Sequence, residues 1–134
     1  MSIEWKKPRG DCKIEQIRDI EIQHGIKFPK SYIDVIIQFN GARPDKNKFS
    51  LKNREDCVFE ELINWDKKRS ANIYFWMRVT ESLNVIPFAK DPFGNCICFK
   101  FRQVDNPEIV FWDHETNKIT NISYNFDAFL SMLR

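Results

Sequence analysis

The sequence is poor in the residues that divide a chain into parts. It holds only 4 Gly and 6 Pro among 134 residues, and it shows no internal repeat, low-complexity segment or flexible linker. This length lies close to the common size of one domain. We therefore expect residues 1–134 to form a single domain. Such a domain hides about two-thirds of the surface of its unfolded chain, so it needs no disulfide or metal to fold.

Long apolar segments are also missing. No run of about 18 apolar residues is present, so the sequence predicts no membrane-spanning helix. The N-terminal stretch MSIEWKKPRGD lacks the apolar core of a secretory signal, and we expect a cytoplasmic protein. Disulfides are rare in that compartment. We therefore interpret the four cysteines as buried free thiols, namely Cys12, Cys57, Cys96 and Cys98.

Neither sign of charge dominates. Lys and Arg total 21 against 19 Asp and Glu, which gives a formal net charge of +2. Three basic clusters stand out, around Lys6, around Lys48 and at 67–69, but acidic residues are interspersed among them. This balance disfavours the broad positive field of a nucleic-acid binder. We interpret the clusters as solvated surface.

Groups suited to catalysis are few. A nucleophilic site needs Cys or Ser beside a base that a third group orients, and the only histidines are His24 and His114. Asp113 and His114 point to opposite faces of a strand, so the aspartate is badly placed to orient the imidazole of a Cys98–His114 pair. The cysteine spacing lacks C-x-x-C, and no glycine-rich phosphate loop is present. The sequence predicts no catalytic residue, metal or cofactor, and we expect a protein that is not an enzyme.

The N-terminal third carries two helical patterns. Asp11 is a plausible N-cap for a helix over 12–24, and Gly25 is suited to end it. Pro29 opens a second helix, whose apolar stripe follows the spacing i, i+3, i+4, i+7 at Tyr32, Val35, Ile36 and Phe39. The pair 40–41, Asn-Gly, is suited to a left-handed helix end.

Further along, short apolar runs alternate with turns. The segment 55–65 fits either a helix or a strand, and 72–82 favours a helix. Strands are predicted over 48–51, 85–89, 96–101, 109–112 and 119–123, followed by a helix over 125–133. Consecutive strands joined by short turns indicate an antiparallel meander. The predicted fold class is α+β, a largely antiparallel sheet flanked by an N-terminal helical pair and a C-terminal helix.

Several of these segments resemble the motifs of one superfamily. Gly25-Ile26-Lys27-Phe28-Pro29-Lys30-Ser31-Tyr32 resembles its "LP…Y" pattern with Phe28 in place of Leu, and Ile86–Asp91 with Gly94 resembles "iPFA-D-xxG". Val110–Glu115 is similar to "V-x-W-x-H-E". The order and spacing over 14–133 resemble the SUKH superfamily, while 42–84 matches poorly. The positions that carry the fold signature are Phe28, Pro29, Tyr32, Asn40, Gly41, Pro87, Phe88, Ala89, Asp91, Gly94, Trp112, Phe126 and Phe129.

The resemblance implies a protein-binding role. Bacterial members are often immunity proteins that bind the C-terminal toxin domain of a polymorphic or contact-dependent toxin, frequently a nuclease. A regulatory interaction module, like the fungal cell-wall-assembly regulators, is the alternative. Immunity proteins against nucleases are often acidic, whereas this chain is slightly basic.

The poorly matching middle segment offers carboxylates beside aromatic residues. That combination suits an interaction hot spot. For Trp65 and Trp76 the sequence leaves open that they belong to the core instead. The predicted partner-binding residues are Asp56, Glu60, Glu61, Trp65, Asp66, Tyr74 and Trp76.

Overall fold

The structure is a computed structural model that describes residues 2–134. Its helices are α1 (Ile14–His24), α2 (Lys30–Phe39), α3 (Ile73–Val79), a 3-10 turn (Glu81–Leu83) and α4 (Phe126–Met132). Its strands are β1 (Trp5–Lys6), β2 (Arg43–Pro44), β3 (Lys48–Leu51), β4 (Arg54–Val58), β5 (Glu61–Leu62), β6 (Ile86–Lys90), β7 (Cys96–Lys100), β8 (Glu108–Trp112) and β9 (Ile119–Ser123). No helix in this range is long and apolar enough to cross a bilayer.

The main sheet has five antiparallel strands in the order β5-β6-β7-β8-β9. Two small antiparallel pairs, β1 with β2 and β3 with β4, accompany it. The α+β prediction, with a largely antiparallel sheet and flanking helices, is confirmed. In the central strand β7 the side chains from Cys96 to Phe99 are all fully buried, so both faces of the sheet are covered.

Aromatic rings fill the core. Phe88 stacks on Phe99 with centroids 4.4 Å apart, and Tyr32 meets Phe99 edge-on at 5.0 Å. The edge-on and offset arrangements suit the quadrupoles of the rings. Burial brings the signature aromatics into one cluster, namely Phe28, Tyr32, Phe88, Phe126 and Phe129. Most of the phenylalanine side chains are buried in the core, whereas Phe93 is 73% exposed.

The first helix begins later than the sequence predicts. Asp11 is not its N-cap, because the Asp11 backbone N–H donates to Asp66 Oδ2 at 3.1 Å and the chain stays extended through Cys12, which is buried. Lys13 takes the N-cap position, and its N–H donates to Gln16 Oε1 at 2.9 Å. Docking onto the Asp66 turn therefore displaces the helix start by two residues. The helix end at Gly25, with φ 64°, is confirmed.

The signature residue Asn40 lies in a cluster of hydrogen bonds that joins three segments of the chain. Asn40 Nδ2 donates to Arg9 O at 3.0 Å and to Asn64 Oδ1 at 2.7 Å, while Asn40 Oδ1 accepts from the Trp65 N–H at 2.9 Å. Gly41 has φ 73°, and an added Cβ would lie 2.7 Å from Asn64 Nδ2. Glycine is thus required here both for the backbone conformation and for the close approach.

The Asp91 signature shapes the β6–β7 turn. The buried Asp91 carboxylate accepts from the Phe93 and Asn95 backbone N–H groups and from Asn95 Nδ2, at 2.8–2.9 Å. Trp112 in β8 is buried and donates its indole N–H to Asn117 Oδ1 at 2.8 Å, as expected of a core indole.

The segment that the sequence left open is extended. Residues 55–65 contribute β4 and β5, whereas 72–82 contains α3, as the preference for a helix indicated. The short strand β5 is held on its outer side, because the Leu62 N–H donates to Ala42 O at 2.9 Å. Pairing with β6 and the hydrogen bond to Ala42, both far away in sequence, decide its conformation.

Candidate functional site

A groove of about 840 Å³ lies between the C-terminal half of α1, the helix α3 and the loop that follows β7. This volume falls within the roughly 300–1,000 Å³ of typical binding clefts. Its floor is apolar and includes Ile86 at the start of β6 and Phe101 after β7. We take this groove as the candidate functional site.

One wall of the groove is a stripe along α3 and the following 3-10 turn. Tyr74, Met77, Arg78 and Glu81 recur at the spacing i, i+3, i+4, i+7 and therefore share one side. The helix start is fixed by Asn72, whose Oδ1 accepts from the Phe75 N–H at 3.0 Å.

The opposite wall comes from α1, and one side chain joins the two walls. Gln16 Nε2 on α1 donates to Trp65 O at 2.9 Å and to the Tyr74 hydroxyl at 3.1 Å. Nearer the end of α1, Gln23 and His24 line the groove. These bonds hold α1 and α3 at a fixed separation, so the groove is largely preformed.

The third side is the loop after β7. The Lys27 N–H donates to Val104 O at 2.8 Å and ties this loop to the segment after α1. Val104 is 55% exposed, and Val79 at the end of α3 is 42% exposed. Of these two side chains, Val104 lines the groove and so offers an apolar contact at its edge.

The charges in the groove are of mixed sign. Arg102 pairs with Glu108 at 2.8 Å outside the groove. Arg78 and Glu81, on the α3 side, take part in no ion pair within residues 2–134. Both charges are therefore available to an incoming partner.

Two of the predicted partner-binding residues lie inside the protein. Trp65 is fully buried, and its indole N–H donates to the Tyr32 hydroxyl at 2.9 Å, so the alternative that it belongs to the core is confirmed. Glu61 is 8% exposed and pairs with Arg9, Arg43 and Lys90. Neither side chain presents a surface to a partner.

The other predicted acidic residues do not come together. Glu60 lies 3.7 Å from the Lys90 ammonium, and Asp56 lies on β4 beside the C-terminal Arg134 at 3.8 Å. Asp66 accepts the Lys68 N–H at 3.0 Å as well as that of Asp11, and these backbone donors lower the pKa of its carboxyl. Each of these three carboxylates therefore has a separate partner.

The two remaining aromatic predictions differ in outcome. Tyr74 lines the groove, as described above. Trp76 is half-buried, and its indole nitrogen is covered by protein without an acceptor among residues 2–134. Of the seven predicted residues, Tyr74 is the member that the structure places at the candidate site.

The thiols are shielded from reaction. Burial is the main cause that raises the pKa of the Cys12 thiol to about 12, and burial also raises the pKa of Cys96 and Cys98. Cys98 lies in the middle of the sheet opposite Val110, whereas His114 is exposed in the β8–β9 turn. The structure thus does not form a Cys98–His114 pair. Within residues 2–134 no group of three His, Cys, Asp or Glu side chains is arranged to hold a metal.

Sequence reasoning missed most of the groove. The stripe through Met77 and Arg78 is visible from helical spacing once α3 is assigned, and the predicted helix over 72–82 supplied that signal. The contribution of Val104 and Phe101 has no local signal, because it depends on how the loop after β7 folds against α1.

Comparison with known proteins identifies the family. The family model SUKH_6, described as SMI1-KNR4 cell-wall, matches residues 14–130. An uncharacterized SPbeta prophage-derived protein of Bacillus subtilis (strain 168), YokK, is 26% identical over 121 residues. The match covers 75% of this chain and 62% of that relative, so the chain spans less than two-thirds of the relative's length. Because the family model covers nearly all of residues 2–134, the chain belongs to the SUKH_6 family of the SMI1-KNR4 type.

Proposed function

We propose that this chain is an immunity protein that binds and neutralises a cognate toxin domain. The toxin is of the polymorphic or contact-dependent kind, and a nuclease is the activity we expect. Such an antitoxin acts in the cytoplasm of the cell that makes it. The observation that carries the proposal is the groove between α1 and α3, which has an apolar floor and is lined by Tyr74, Met77 and the half-exposed Val104.

The groove wall formed by α3 comes from a part of the sequence that supports a role in recognising a partner. The helix α3 comes from 42–84, the part of the sequence that matches the superfamily motifs poorly, whereas the floor residue Ile86 opens β6, which carries the signature residues Pro87, Phe88 and Ala89. We therefore expect this wall, rather than the floor, to carry the recognition of one particular partner. Membership of the SMI1-KNR4 type and the similarity to a prophage protein also support this proposal.

The mechanism is occlusion. A stable interface of ordinary size buries about 800 Å² on each partner, and a few aromatic or large apolar side chains at its centre supply most of the affinity. Tyr74, Met77 and Val104 are the candidates for that centre. A toxin element seated between α1 and α3 would be covered or distorted, so the toxin could not reach its substrate.

Co-expression tests the proposal. Toxin domains encoded beside the gene are expressed with the wild-type chain, and growth and co-purification are scored. We expect protection by the wild type and its loss in Met77→Asp and Val104→Asp, because a carboxylate in an apolar contact is not compensated. The matched control is Ile22→Asp, since Ile22 is 81% exposed on α1 and does not line the groove. Protection that survives both groove substitutions would count against the groove, and a wild-type chain that protects against no neighbouring toxin would count against the function.

The family description favours one alternative, a regulatory interaction module in cell-wall assembly. Such a module would use the same groove for a housekeeping partner. It predicts a growth or envelope defect on deletion of the gene in cells without any toxin, a result that an immunity protein would not give.

A further inference from the structure

Two segments far apart in sequence meet next to the groove. The Asp11 N–H donates to Asp66 Oδ2 across 55 positions of sequence, and an added Cβ on Gly10 would lie 3.0 Å from Asp66 Cβ. This contact places the start of α1 beside the turn 67–69. Four exposed cations, which we call the basic rim, lie on these two segments: Lys13, Lys67, Lys68 and Arg69.

Two acidic groups nearby, Asp66 and Glu61, are held within the protein by their partners, whereas Asp11 and Glu15 are exposed beside Lys13. Both carboxylate oxygens of Asp66 accept backbone N–H groups, so this short side chain stays half-buried in its turn. Glu61 is buried beneath Arg9. The long side chains of the basic rim, in contrast, take part in no ion pair of 4.0 Å or less within residues 2–134. A region whose sequence suggests an acidic surface therefore presents cations to solvent.

The basic rim adjoins the groove at Tyr74. The Lys67 ammonium lies over the Tyr74 ring at 5.2 Å from its centroid, and Tyr74 lines the groove. Arg78 continues the positive charge along the same wall one helical turn later. A partner that fills the groove must also face these cations.

We propose that the basic rim binds a carboxylate-rich surface of the protein partner whose apolar element occupies the groove. The identity of that partner as a toxin domain rests on the proposed function. Opposite charges on two proteins, placed beside an apolar contact, raise the rate at which the proteins associate and fix their relative orientation. The toxin face that this chain covers is accordingly acidic, unlike the basic nucleic-acid-binding face against which acidic immunity proteins are built.

The surroundings favour a protein over a nucleic acid. Asp11 and Asp66 interrupt the basic rim, and a continuous phosphate backbone would have to pass them. Single strands are held by bases stacked on free aromatic faces. The aromatic ring at this place, Tyr74, already carries Lys67 on one face and accepts a hydrogen bond at its hydroxyl.

The test compares two charge-reversal variants. Lys68→Glu with Arg69→Glu alters the basic rim. Lys52→Glu with Lys118→Glu, at exposed turns away from the groove, is the matched control with the same change in net charge. Association with the toxin domain against which the chain protects is measured at low salt and at high salt. We expect the rim variant to associate about tenfold more slowly at low salt, with the difference shrinking at high salt, and the control to stay within about twofold.

A second measurement needs no toxin. Backbone NMR shifts of the ¹⁵N-labelled chain are followed during titration with hexaglutamate and, separately, with single-stranded oligothymidine. We expect hexaglutamate to shift the resonances of Lys13, Lys67–Arg69 and Tyr74 in the wild type and in the control variant, but not in the rim variant. Well-dispersed spectra of both variants show that each is folded.

The outcomes separate the two proposals. A rim variant that binds the toxin domain as fast as the wild type overturns the acidic-partner inference and leaves the proposed function intact. If the wild type binds no toxin domain, the proposed function fails, and hexaglutamate then decides the inference: shifts confined to the basic rim support it, and their absence overturns it. Tighter binding of oligothymidine than of hexaglutamate at the rim also overturns it, in favour of a nucleic-acid site.

Discussion

The hydrogen bond between Trp65 and Tyr32 allows a quantitative test of the core. Both residues are buried to within 1% of full coverage, and the indole N–H donates to the hydroxyl at 2.9 Å. Trp65→Phe removes the donor and shrinks the ring, which leaves a small cavity and a hydroxyl without its partner. Tyr32→Phe removes the acceptor and leaves a buried indole N–H without one. The double substitution keeps the smaller rings but leaves no polar atom unpaired.

The expected costs follow from these changes. An orphaned buried donor or acceptor costs about 1–3 kcal/mol. The lost atoms of the indole add roughly 1–2 kcal/mol through the cavity, so Trp65→Phe should lower the free energy of unfolding by about 2–4 kcal/mol. Tyr32→Phe should lower it by about 1–3 kcal/mol. Because the double variant leaves no orphan and so avoids both penalties, its cost should fall short of the sum of the single costs by about 2 kcal/mol or more.

Urea unfolding followed by far-UV circular dichroism gives the free energy of unfolding of the wild type, the two single variants and the double variant. It does not rely on tryptophan fluorescence, which Trp65→Phe would change. Costs that add to within about 0.3 kcal/mol would show that the two side chains do not interact and would refute the assignment of Trp65 to this bond. The single variants, where folded, should bind the partner as the wild type does, since Trp65 has no exposed surface. If Trp65→Phe lowers the affinity for the partner without changing the free energy of unfolding, Trp65 contacts the partner after all.

Two further predictions concern positions where the local geometry sets the outcome. Gly41→Ala should lower the free energy of unfolding by about 3 kcal/mol or more, since φ is 73° and the new methyl would lie 2.7 Å from Asn64 Nδ2. Gly25→Ala should lower it by only about 1–2 kcal/mol, because φ is 64° but the space around the new methyl is open. Urea titrations measure both costs. Equal costs would contradict the close approach at Gly41. Cys12, with a pKa raised to about 12, should resist iodoacetamide at pH 8 in the native chain and react once the chain is unfolded in urea, and rapid native labelling seen by mass spectrometry would contradict its burial.

The elements that the sequence predicted well are those whose signals are local. The stripe of α2 and the glycines at 25 and 41 specify helix faces and ends by spacing and by allowed φ, and the structure confirms them. The start of α1 was placed two residues early because Asp11 gives its N–H to Asp66, a partner 55 positions away. The extended form of β5 likewise depends on β6 and on the hydrogen bond to Ala42. Contacts of this kind leave no periodic trace in the sequence.

The candidate site was predicted less well for a related reason. A carboxylate in a sequence is a surface charge only if no cation from elsewhere covers it, and Glu61 meets Arg9, Arg43 and Lys90 from three separate segments. These pairs remove negative charge from the surface around 60–66 and leave the cations at 67–69 facing solvent. Local composition does not show which of these charges are covered.

The same reasoning removes an apparent conflict between the basic chain and the proposed immunity role. An inhibitor that imitates a nucleic acid must be acidic, because it competes for a basic face, but an inhibitor that seats an apolar element in a groove is free of that constraint. The charge beside the groove then has to complement whatever toxin surface surrounds the inserted element. With Arg78 on the groove wall and the basic rim beside it, the partner surface that we infer is acidic, and the association rate should fall as salt rises. A complex whose association rate is independent of salt would mean that these cations do not face the partner at all.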